Sequence, residues 1–234
     1  MNKIKNKISV VLPTYNEADN IIPLIETICE KLKNFPWEII VVDDNSPDKT
    51  GILVRKKFPD SKNIKVFIRK EKGLATAIFD GLKKATGSHI CVMDTDFNHD
   101  PKEIPKMYKE LKKCDLIVGS RYVEGGGMEN RLRNSFSLVY NRIIQFMLRL
   151  PTRDNLSGYF MIRGEKLTHL LKEDIFRGYG DYFIRLLYRA NKNRLLIKEI
   201  PVYYKNRIYG VSKSQFLNMF VDYTKTVFDI LRQP

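Results

Sequence analysis

Cysteine is scarce in this chain of 234 residues, which has only Cys29, Cys91 and Cys114. The three are far apart, odd in number and embedded in apolar patterns, so neither a disulfide framework nor a zinc site is expected. Long apolar runs are also missing, and residues 1–7 are largely polar. These absences predict a protein of a reducing compartment, with no signal peptide and no segment that crosses a bilayer.

Acidic residues are in the minority, with 27 of them against 41 lysines and arginines and a net charge of +14. Such an excess favours an anionic partner, which could be nucleic acid, a membrane surface or a phosphorylated substrate. The excess is concentrated in the second half of the chain. There, arginines alternate with apolar residues at helical spacing over 132–150, and 216–231 has a similar apolar pattern. This pattern is typical of helices in a lipid headgroup region, and equally of helices that pack on a core.

Strand-like apolar runs alternate with helical patterns over the first 120 residues. Strands are predicted near 7–13, 37–43, 64–69, 89–94 and 115–120, and helices over 19–33, 48–58, 74–86 and 101–113. The alternation predicts an α/β fold with a mostly parallel sheet in three layers. The pattern then becomes irregular, with a glycine loop at 125–127, a short strand near 159–162 and a helix over 178–190. No linker, repeat or low-complexity segment is visible.

Acidic side chains follow two of the predicted strands. Asp94 and Asp96 come at the end of the apolar run 90–93, and Asp43 and Asp44 follow the run 39–42. Ligands of open α/β sheets collect at the carboxyl ends of the strands. Hard cations such as Mg²⁺ take oxygen ligands and keep substrate phosphates in their shell. The two acidic turns therefore predict a metal-diphosphate site, to which the loop 13–17 adds a ring and a carboxylate.

Seven motifs extend this pattern along most of the chain. They are Pro13-Thr14-Tyr15-Asn16-Glu17, Val41-Val42-Asp43-Asp44-Asn45-Ser46-Pro47-Asp48, Lys72-Gly73-Leu74, Met93-Asp94-Thr95-Asp96, Gly119-Ser120-Arg121-Tyr122, Ser157-Gly158-Tyr159, and Arg207-x-x-Gly210-x-Ser212-Lys213. In composition and order the set resembles dolichol-phosphate mannose synthases. More broadly, it is similar to the family-2 glycosyltransferases that load a sugar onto a polyprenyl phosphate.

The resemblance implies a GT-A (Rossmann-like) three-layer α/β/α sandwich over 1–213, followed by an amphipathic helix over 214–234 at a membrane surface. It implies inverting transfer of mannose from GDP-mannose to a polyprenyl or dolichyl phosphate, with Mg²⁺ or Mn²⁺ as cofactor. The expected location is the cytoplasmic face of a membrane. Relatives with a fused membrane domain continue past this C-terminus, so a naturally short form, with or without an anchoring subunit, and a truncated form both remain open.

The resemblance also implies roles for individual residues. Donor binding is expected from Pro13, Tyr15, Glu17, Asp43, Asp44, Lys72, Gly73, Asp94 and Asp96. Metal binding is expected from Asp96, Asp94 and Asn98, the last standing where relatives often carry glutamine. The acceptor phosphate is expected to bind Arg121, Arg133, Arg207 and Lys213. Of these residues, Asp94, Asp96 and Arg121 are the expected catalytic ones.

Several alternatives stay open at this point. The donor could be a UDP-sugar such as UDP-glucose. The acceptor could be a hydroxyl, which would need a general base, and Asp181 is the candidate; Asp154 is a second acid near the expected sugar pocket. Arg185 stands where many relatives have a glutamate nearby, which is a departure from the family pattern on the acceptor side. A basic nucleic-acid-binding module is disfavoured, because it leaves the four acids at the strand ends unexplained.

Overall fold

The computed structural model describes residues 3–205 and 216–232, without the side chains of 216–218. Its strands are β1 (Ile4–Thr14), β2 (Trp37–Asp43), β3 (Ile64–Ile68), β4 (Gly87–Val92), β5 (Leu116–Ser120), β6 (Gly127–Met128), β7 (Phe160–Arg163), β8 (Ile197–Pro201) and β9 (Tyr203–Tyr204). Its helices are α1 (Ala18–Leu32), α2 (Thr50–Lys57), α3 (Leu74–Lys84), α4 (Ile104–Glu110), α5 (Arg131–Leu148), α6 (Gly164–Leu167), α7 (Tyr182–Lys192) and α8 (Phe216–Leu231).

A seven-stranded sheet in the order β3-β2-β1-β4-β7-β5-β8 organises the fold, and β6 pairs with β9 separately. Neighbouring strands are parallel except at β7, which runs antiparallel to both β4 and β5. The predicted mostly parallel sheet is therefore confirmed, and so is the short strand near 159–162. The edge strand β8 was not predicted, because it is a five-residue run with only one buried residue.

Two apolar layers cover the two faces of this sheet, as the three-layer prediction requires. Because successive strand residues point to opposite faces, Val11 and Val42 pack with α3, α5, α7 and α8, whereas Val10 and Val41 pack with α1, α2 and α4. The predicted helix over 101–113 is shorter than expected. It consists of α4 between two 3₁₀ turns, with Pro101 and Pro105 at the starts of the first turn and of α4.

Helix α5 has two apolar faces. Ile144 and Leu148 are buried in the apolar layer that also holds Val11 and Val42, and the buried Asn141 beside them accepts from Asn155 N at 2.6 Å. A second row, at intervals of four and three residues, is exposed, and Phe146 has 86% of its surface accessible. The members of this outer row are Leu132, Phe136, Val139, Ile143 and Phe146. The core interpretation of 132–150 is thus correct for one face only, and the other face is apolar and open.

Glu38 is a charged residue in the interior, at the amino end of β2, with no exposed side-chain surface. Its carboxylate accepts hydrogen bonds from Ser9 Oγ at 2.6 Å, from Lys65 Nζ at 2.9 Å and from the backbone N–H of Thr86 at 2.7 Å. Burial alone would raise the pKa of Glu38, but these hydrogen bonds outweigh it and lower the pKa to about 2. Glu38 therefore stabilises the fold as an anion that joins β1, β2 and the approach to β4.

Glu38→Gln should remove a pH-dependent part of the stability. The folded pKa lies below the ordinary value of 4.5, so the unfolded chain takes up the proton first, and stability present above pH 4.5 is lost as the pH falls towards 2. The contribution is on the order of 3 kcal/mol. Urea unfolding across this range should show the wild-type and variant free energies converging at low pH. Glu26→Gln is the control, because Glu26 is exposed and pairs with Lys57 at 3.4 Å. A stability curve for Glu38→Gln that runs parallel to the wild-type curve over this pH range would contradict the assignment.

Candidate active site

A cleft of about 400 Å³ lies at the carboxyl edge of the parallel strands. The ends of β1, β2, β4 and β5 contribute to it, as the general rule for open α/β sheets predicts. Because β7 is antiparallel to its neighbours, its start lies at this edge, which brings Ser157 and Gly158 into the cleft. Helices α5 and α8 border it through Arg133, Met219 and Tyr223.

Most of the residues predicted for the site meet in this one cleft. The residues that line it are Pro13, Tyr15, Glu17, Asp44, Lys72, Gly73, Asp94, Asp96, Asn98, Arg121 and Arg133. Asp43 and Asp181 are not among the lining residues. Arg207 and Lys213 lie outside the described residues.

Asp43 and Asp44 have different roles. Asp43 is buried and holds the turn after β2, accepting hydrogen bonds from Thr14 Oγ1 at 3.2 Å, from Ser46 N at 3.2 Å and from Ser46 Oγ. Asp44 lines the cleft, but its carboxylate accepts from Arg69 Nε and, at 2.7 Å, from the backbone N–H of Gly73. Asp43 therefore lies behind the cleft and holds its loop, whereas Asp44 both lines the cleft and fixes the turn before α3. The hydrogen bond from either acid to the donor stays a prediction.

Arg69 lies outside the cleft lining but fixes Asp44, which lines it, and the sequence did not single this arginine out. It follows β3 directly, and a charge at a strand end was the available signal. Besides Asp44, it donates to the Gly73 carbonyl at 2.6 Å and to Thr76 Oγ1 at 2.9 Å. Burial disfavours its charge, but the hydrogen bond and charge of Asp44 raise its pKa above the ordinary value. Arg69 thereby fixes the turn before α3, where Gly73 has a φ of +148° that only glycine adopts readily.

Two side chains lie across the mouth of the cleft. Lys72 Nζ donates a hydrogen bond of 2.9 Å to the hydroxyl of Tyr15 and lies 4.7 Å from the centre of its ring. The loop before α3 and the loop after β1 are thus in contact. Glu17 directly precedes α1 and accepts from Asn20 Nδ2 at 2.8 Å. Asp48 accepts from the backbone N–H of Ala18 at 3.0 Å. Asp48 also accepts from the backbone N–H of Thr50 at 3.0 Å, so it joins the starts of α1 and α2.

The turn after β4 carries the oxygen ligands expected for a metal. The Asp94 side chain is 47% exposed, whereas Asp96 is buried and accepts from Asn98 N at 3.1 Å and from Asn98 Nδ2 at 2.9 Å. Phe97 has a φ of +62°, unusual for a side chain of its size, and the reversal at this residue brings Asn98 back onto Asp96. No group of three acids, histidines or cysteines suited to a metal occurs within the described ranges.

The chemistry of this turn fits Mg²⁺ or Mn²⁺. Its donors are two carboxylates and one amide oxygen, without a thiolate, and magnesium sites typically use one or two carboxylates together with substrate phosphates and water. A partial set of protein ligands is therefore what a site completed by a diphosphate requires. Asp94, Asp96 and Asn98 are the residues that would hold the ion.

Arg121 lies at the end of β5 with its charge fixed by a buried carboxylate. Its Nε and Nη2 both donate to Asp154 at 2.7 Å, and its backbone N–H donates to the same group at 2.9 Å. Burial disfavours the charge of Arg121, but Asp154 raises its pKa above the ordinary value. Asp154 thus serves as the holder of Arg121, and its contacts give no support to the alternative that it acts as a catalytic acid.

Asp181 is engaged in a second buried ion pair. Its carboxylate accepts from Arg185 Nη1 at 2.6 Å, from Thr226 Oγ1 at 3.0 Å and from the backbone N–H of Tyr179 at 2.7 Å. These contacts tie the loop before α7 to α8, and they account for the arginine at position 185. The geometry places Asp181 in a structural network and gives no support to a role as general base.

Asp154→Asn should destabilise the fold strongly, because it leaves the Arg121 guanidinium buried without its counter-charge. Breaking a buried pair in this way costs about 3 to 5 kcal/mol. Asp174→Asn is the matched control, since Asp174 pairs with Arg189 at 3.2 Å on the surface, where such pairs contribute below about 1 kcal/mol. Urea unfolding of both variants measures the difference, and equal losses would show that the Arg121 pair carries no special weight.

Comparison with known proteins extends the match beyond these motifs. The sequence profile of "Glycosyl transferase family 2" matches residues 9–171. The chain is 34% identical, over 236 aligned positions, to a dolichol-phosphate mannosyltransferase of Pyrococcus furiosus, covering 97% of this chain and 62% of that protein. It is 30% identical to an undecaprenyl-phosphate 4-deoxy-4-formamido-L-arabinose transferase of Pectobacterium atrosepticum, covering 94% and 65%. The chain thus spans less than two thirds of these relatives.

Solved structures share the architecture. Glucosyl-3-phosphoglycerate synthase of Mycobacterium tuberculosis, in complex with Mn²⁺, UDP and glucosyl-3-phosphoglycerate, aligns with a TM-score of 0.68 at 20% identity, over 97% of this chain and 78% of that one. The Mg²⁺ and UDP complex of the same enzyme aligns with a TM-score of 0.67 at 21% identity, over 97% and 78%. The predicted GT-A fold is confirmed. With the profile match covering well over half of its residues, the chain belongs to glycosyl transferase family 2.

Proposed function

We propose that this protein transfers mannose, with inversion, from GDP-mannose to the phosphate of a polyprenol, with Mg²⁺ or Mn²⁺ as cofactor. One observation carries the proposal: a single cleft holds both an oxygen-rich turn, Asp94 to Asn98, and two arginines, Arg121 and Arg133. The first suits a metal-bound diphosphate and the second a further phosphate. The name of the Pyrococcus relative supports mannose and a dolichol phosphate, and the name of the Pectobacterium relative supports a polyprenyl phosphate.

The donor would lie between the loop after β1 and the turn after β4. Tyr15 and Lys72 would cover it from above, and Asp94 and Asp96 would approach its diphosphate from below. When bound, the metal supplies positive charge that stabilises the leaving diphosphate. The protein's own contribution is the fixed turn, which Asn98 and Phe97 hold before any ligand arrives.

The proposed acceptor carries its own negative charge, which would account for the two arginines on the side of the cleft opposite the acidic turn. A phosphate oxygen is already a nucleophile, so the reaction requires positioning and electrostatic stabilisation but no general base. Arg121 would offer a guanidinium held rigidly by Asp154, and Arg133, in the first turn of α5, would approach from the surface. The hydroxyl-acceptor alternative needs a base, and the contacts of Asp181 described above do not favour it.

A membrane surface would present such an acceptor, and the outer row of α5 suits that role. The row is apolar, exposed and accompanied by the exposed arginines Arg131, Arg142 and Arg149. Helix α8 packs beside α5 through Tyr140, whose hydroxyl lies 2.9 Å from Thr224 Oγ1. It adds its own exposed apolar residues, Phe220, Val221, Phe228 and Leu231. An apolar face flanked by basic residues is typical of helices that lie in an anionic lipid surface. Within the described ranges, no helix combines the length and apolarity needed to span a bilayer.

Nucleotide titration is the experiment that tests the donor side. We expect GDP and GDP-mannose to bind the wild-type chain with Mn²⁺, to bind weakly or not at all with chelator, and to lose the Mn²⁺ effect in Asp96→Asn. The reason is that this substitution removes one of the two carboxylate charges from the turn. Calorimetry measures the affinities. The control is Asp100→Asn, because Asp100 lies in the same loop between β4 and α4 but is not among the residues that line the cleft.

The same titration includes UDP and UDP-glucose, and a transfer assay with a polyprenyl phosphate follows it. Preference for the uridine nucleotides would keep the metal site but overturn GDP-mannose as the donor. Unchanged Mn²⁺-dependent binding in Asp96→Asn would overturn the metal assignment. Transfer to a hydroxyl compound, with none to the lipid phosphate, would overturn the acceptor.

Replacing two residues of the outer row should weaken membrane binding. A phenylalanine fully transferred from water contributes about 1.5 to 3 kcal/mol, so Phe136→Ser with Phe146→Ser should reduce binding to vesicles of phosphatidylcholine and phosphatidylglycerol by at least ~10-fold. Vesicle co-sedimentation measures this loss. Ile52→Ser with Leu53→Ser is the matched control, because these exposed residues lie on α2 at the opposite face of the sheet. Equal binding by both double variants would contradict the assignment of this surface.

A further inference from the structure

A buried histidine closes the turn that carries the two acids. His99 has 1% of its surface exposed, and its Nδ1 lies 2.8 Å from the backbone nitrogen of Asp94. A backbone N–H can only donate, so Nδ1 must be the acceptor. In the neutral ring the proton then resides on Nε2. One hydrogen bond thus holds the first residue of the turn and selects the tautomer of the ring.

The other ring nitrogen continues the chain to a tyrosine. His99 Nε2 lies 2.8 Å from the hydroxyl of Tyr204 and 3.7 Å from Asp94 Oδ2, so the tyrosine is its hydrogen-bond partner. The Tyr204 hydroxyl donates in turn to the Ser157 carbonyl at 3.0 Å. Burial raises the pKa of Tyr204, so the hydroxyl keeps its proton for this bond. His99 Nε2–H therefore donates to the Tyr204 hydroxyl, which donates onward to Ser157.

The ring of Tyr204 also contacts the arginine of the opposite wall. The guanidinium carbon of Arg121 lies 4.9 Å from the centre of the Tyr204 ring, a distance at which cation and ring attract each other. On the other side, His99 stacks on Tyr159 with ring centres 4.7 Å apart and planes at 11°. Two adjacent buried side chains therefore connect the acidic turn after β4 with the arginine after β5.

We propose that His99 and Tyr204 are positioning residues that set the acidic turn at a fixed place relative to Arg121. His99 acts through the backbone of Asp94, and the Tyr204 hydroxyl acts through His99. The inference rests on the proposed function, because it takes the turn as the donor side and Arg121 as the acceptor side. Transfer requires the donor and the acceptor to be held in a fixed relative position. Loss of the link, which is the hydrogen bond between His99 and Tyr204, should therefore lower the turnover rate more than it lowers the affinity for either substrate.

Three substitutions separate the two hydrogen bonds of the ring. In His99→Asn, the side-chain oxygen can replace Nδ1 and keep the bond to Asp94 while the bond to Tyr204 is lost. In His99→Gln, the longer side chain can reach Tyr204, but the bond to Asp94 is lost. Tyr204→Phe removes the hydroxyl and keeps the ring beside Arg121. All three keep the metal ligands and both arginines.

The expected pattern is specific. His99→Gln should weaken Mn²⁺-dependent nucleotide binding by roughly 10- to 100-fold, as loss of a group that orients a metal ligand typically does. His99→Asn and Tyr204→Phe should bind nucleotide within about threefold of wild type yet lose roughly 10-fold or more in kcat, with acceptor KM little changed. The double variant, His99→Asn with Tyr204→Phe, should lose no more turnover than Tyr204→Phe alone, because the hydrogen bond between His99 and Tyr204 is already absent in that single variant.

A second histidine and tyrosine supply the control. His89 and Tyr108 have ring centres 4.7 Å apart and lie outside the cleft lining, so His89→Asn and Tyr108→Phe report the general effect of altering such a pair. Calorimetry and steady-state kinetics are run on all variants, with urea unfolding alongside.

The outcomes are distinguishable. Wild-type values in all three variants, or additive losses in the double variant, would overturn the link. Losses of binding and turnover that merely follow the loss of stability would also overturn it, in favour of a packing role. Failure of the wild-type chain to bind any nucleotide with Mn²⁺ would overturn the proposed function and this inference with it.

Discussion

The reversed direction of β7 is the constraint on which the cleft depends. An all-parallel sheet would present only the ends of its strands at the carboxyl edge. Because β7 runs the other way between β4 and β5, the segment before it arrives at this edge. That segment contains Asp154, which holds Arg121, and Ser157, which accepts from Tyr204. One cleft thus contains the acids that follow β2 and β4 and the arginine that follows β5. The single change of strand direction at β7 adds the residues that hold this arginine and Tyr204 in place.

Charge in this protein is organised by pairing at fixed points. The acids of the cleft are held by neighbours of defined geometry: Asp44 by Arg69 and Asp96 by Asn98. The arginine on the other wall is held by Asp154. Few of these groups must rearrange when charged ligands enter, and a polar environment that is already oriented is more effective than one that reorganises during reaction. The net charge of +14 is then left mainly to the surface, to which α5 contributes three arginines and no acid.

The sequence was sufficient for the parts of the molecule that rest on local pattern. The alternation of strands and helices predicted the sheet, and acids at strand ends predicted which loops meet. It was insufficient where a role depends on which side chains the fold turns toward each other, whether near or far in the sequence. Asp43, Asp44 and Asp181 have the same chemistry as ligand-binding acids. Only the arrival of Ser46, Arg69 and Arg185 shows that their carboxylates are already engaged. Arg69, His99 and Tyr204 were overlooked because Arg69 acts on Asp44 and His99 pairs with Tyr204, contacts between positions that are distant in the sequence.

The outer row of α5 bears on which part of the proposed lipid acceptor the protein would contact. Arg133 lies at the start of the helix whose exposed row we assign to the lipid surface, so a phosphate would meet the cleft at the level of the headgroups. The hydrocarbon of the acceptor would then stay dissolved in the bilayer. Under the proposed function, the protein would bind the charged end of the lipid and would not contact the far end of its tail, so the membrane, rather than a pocket, would determine which polyprenols are presented.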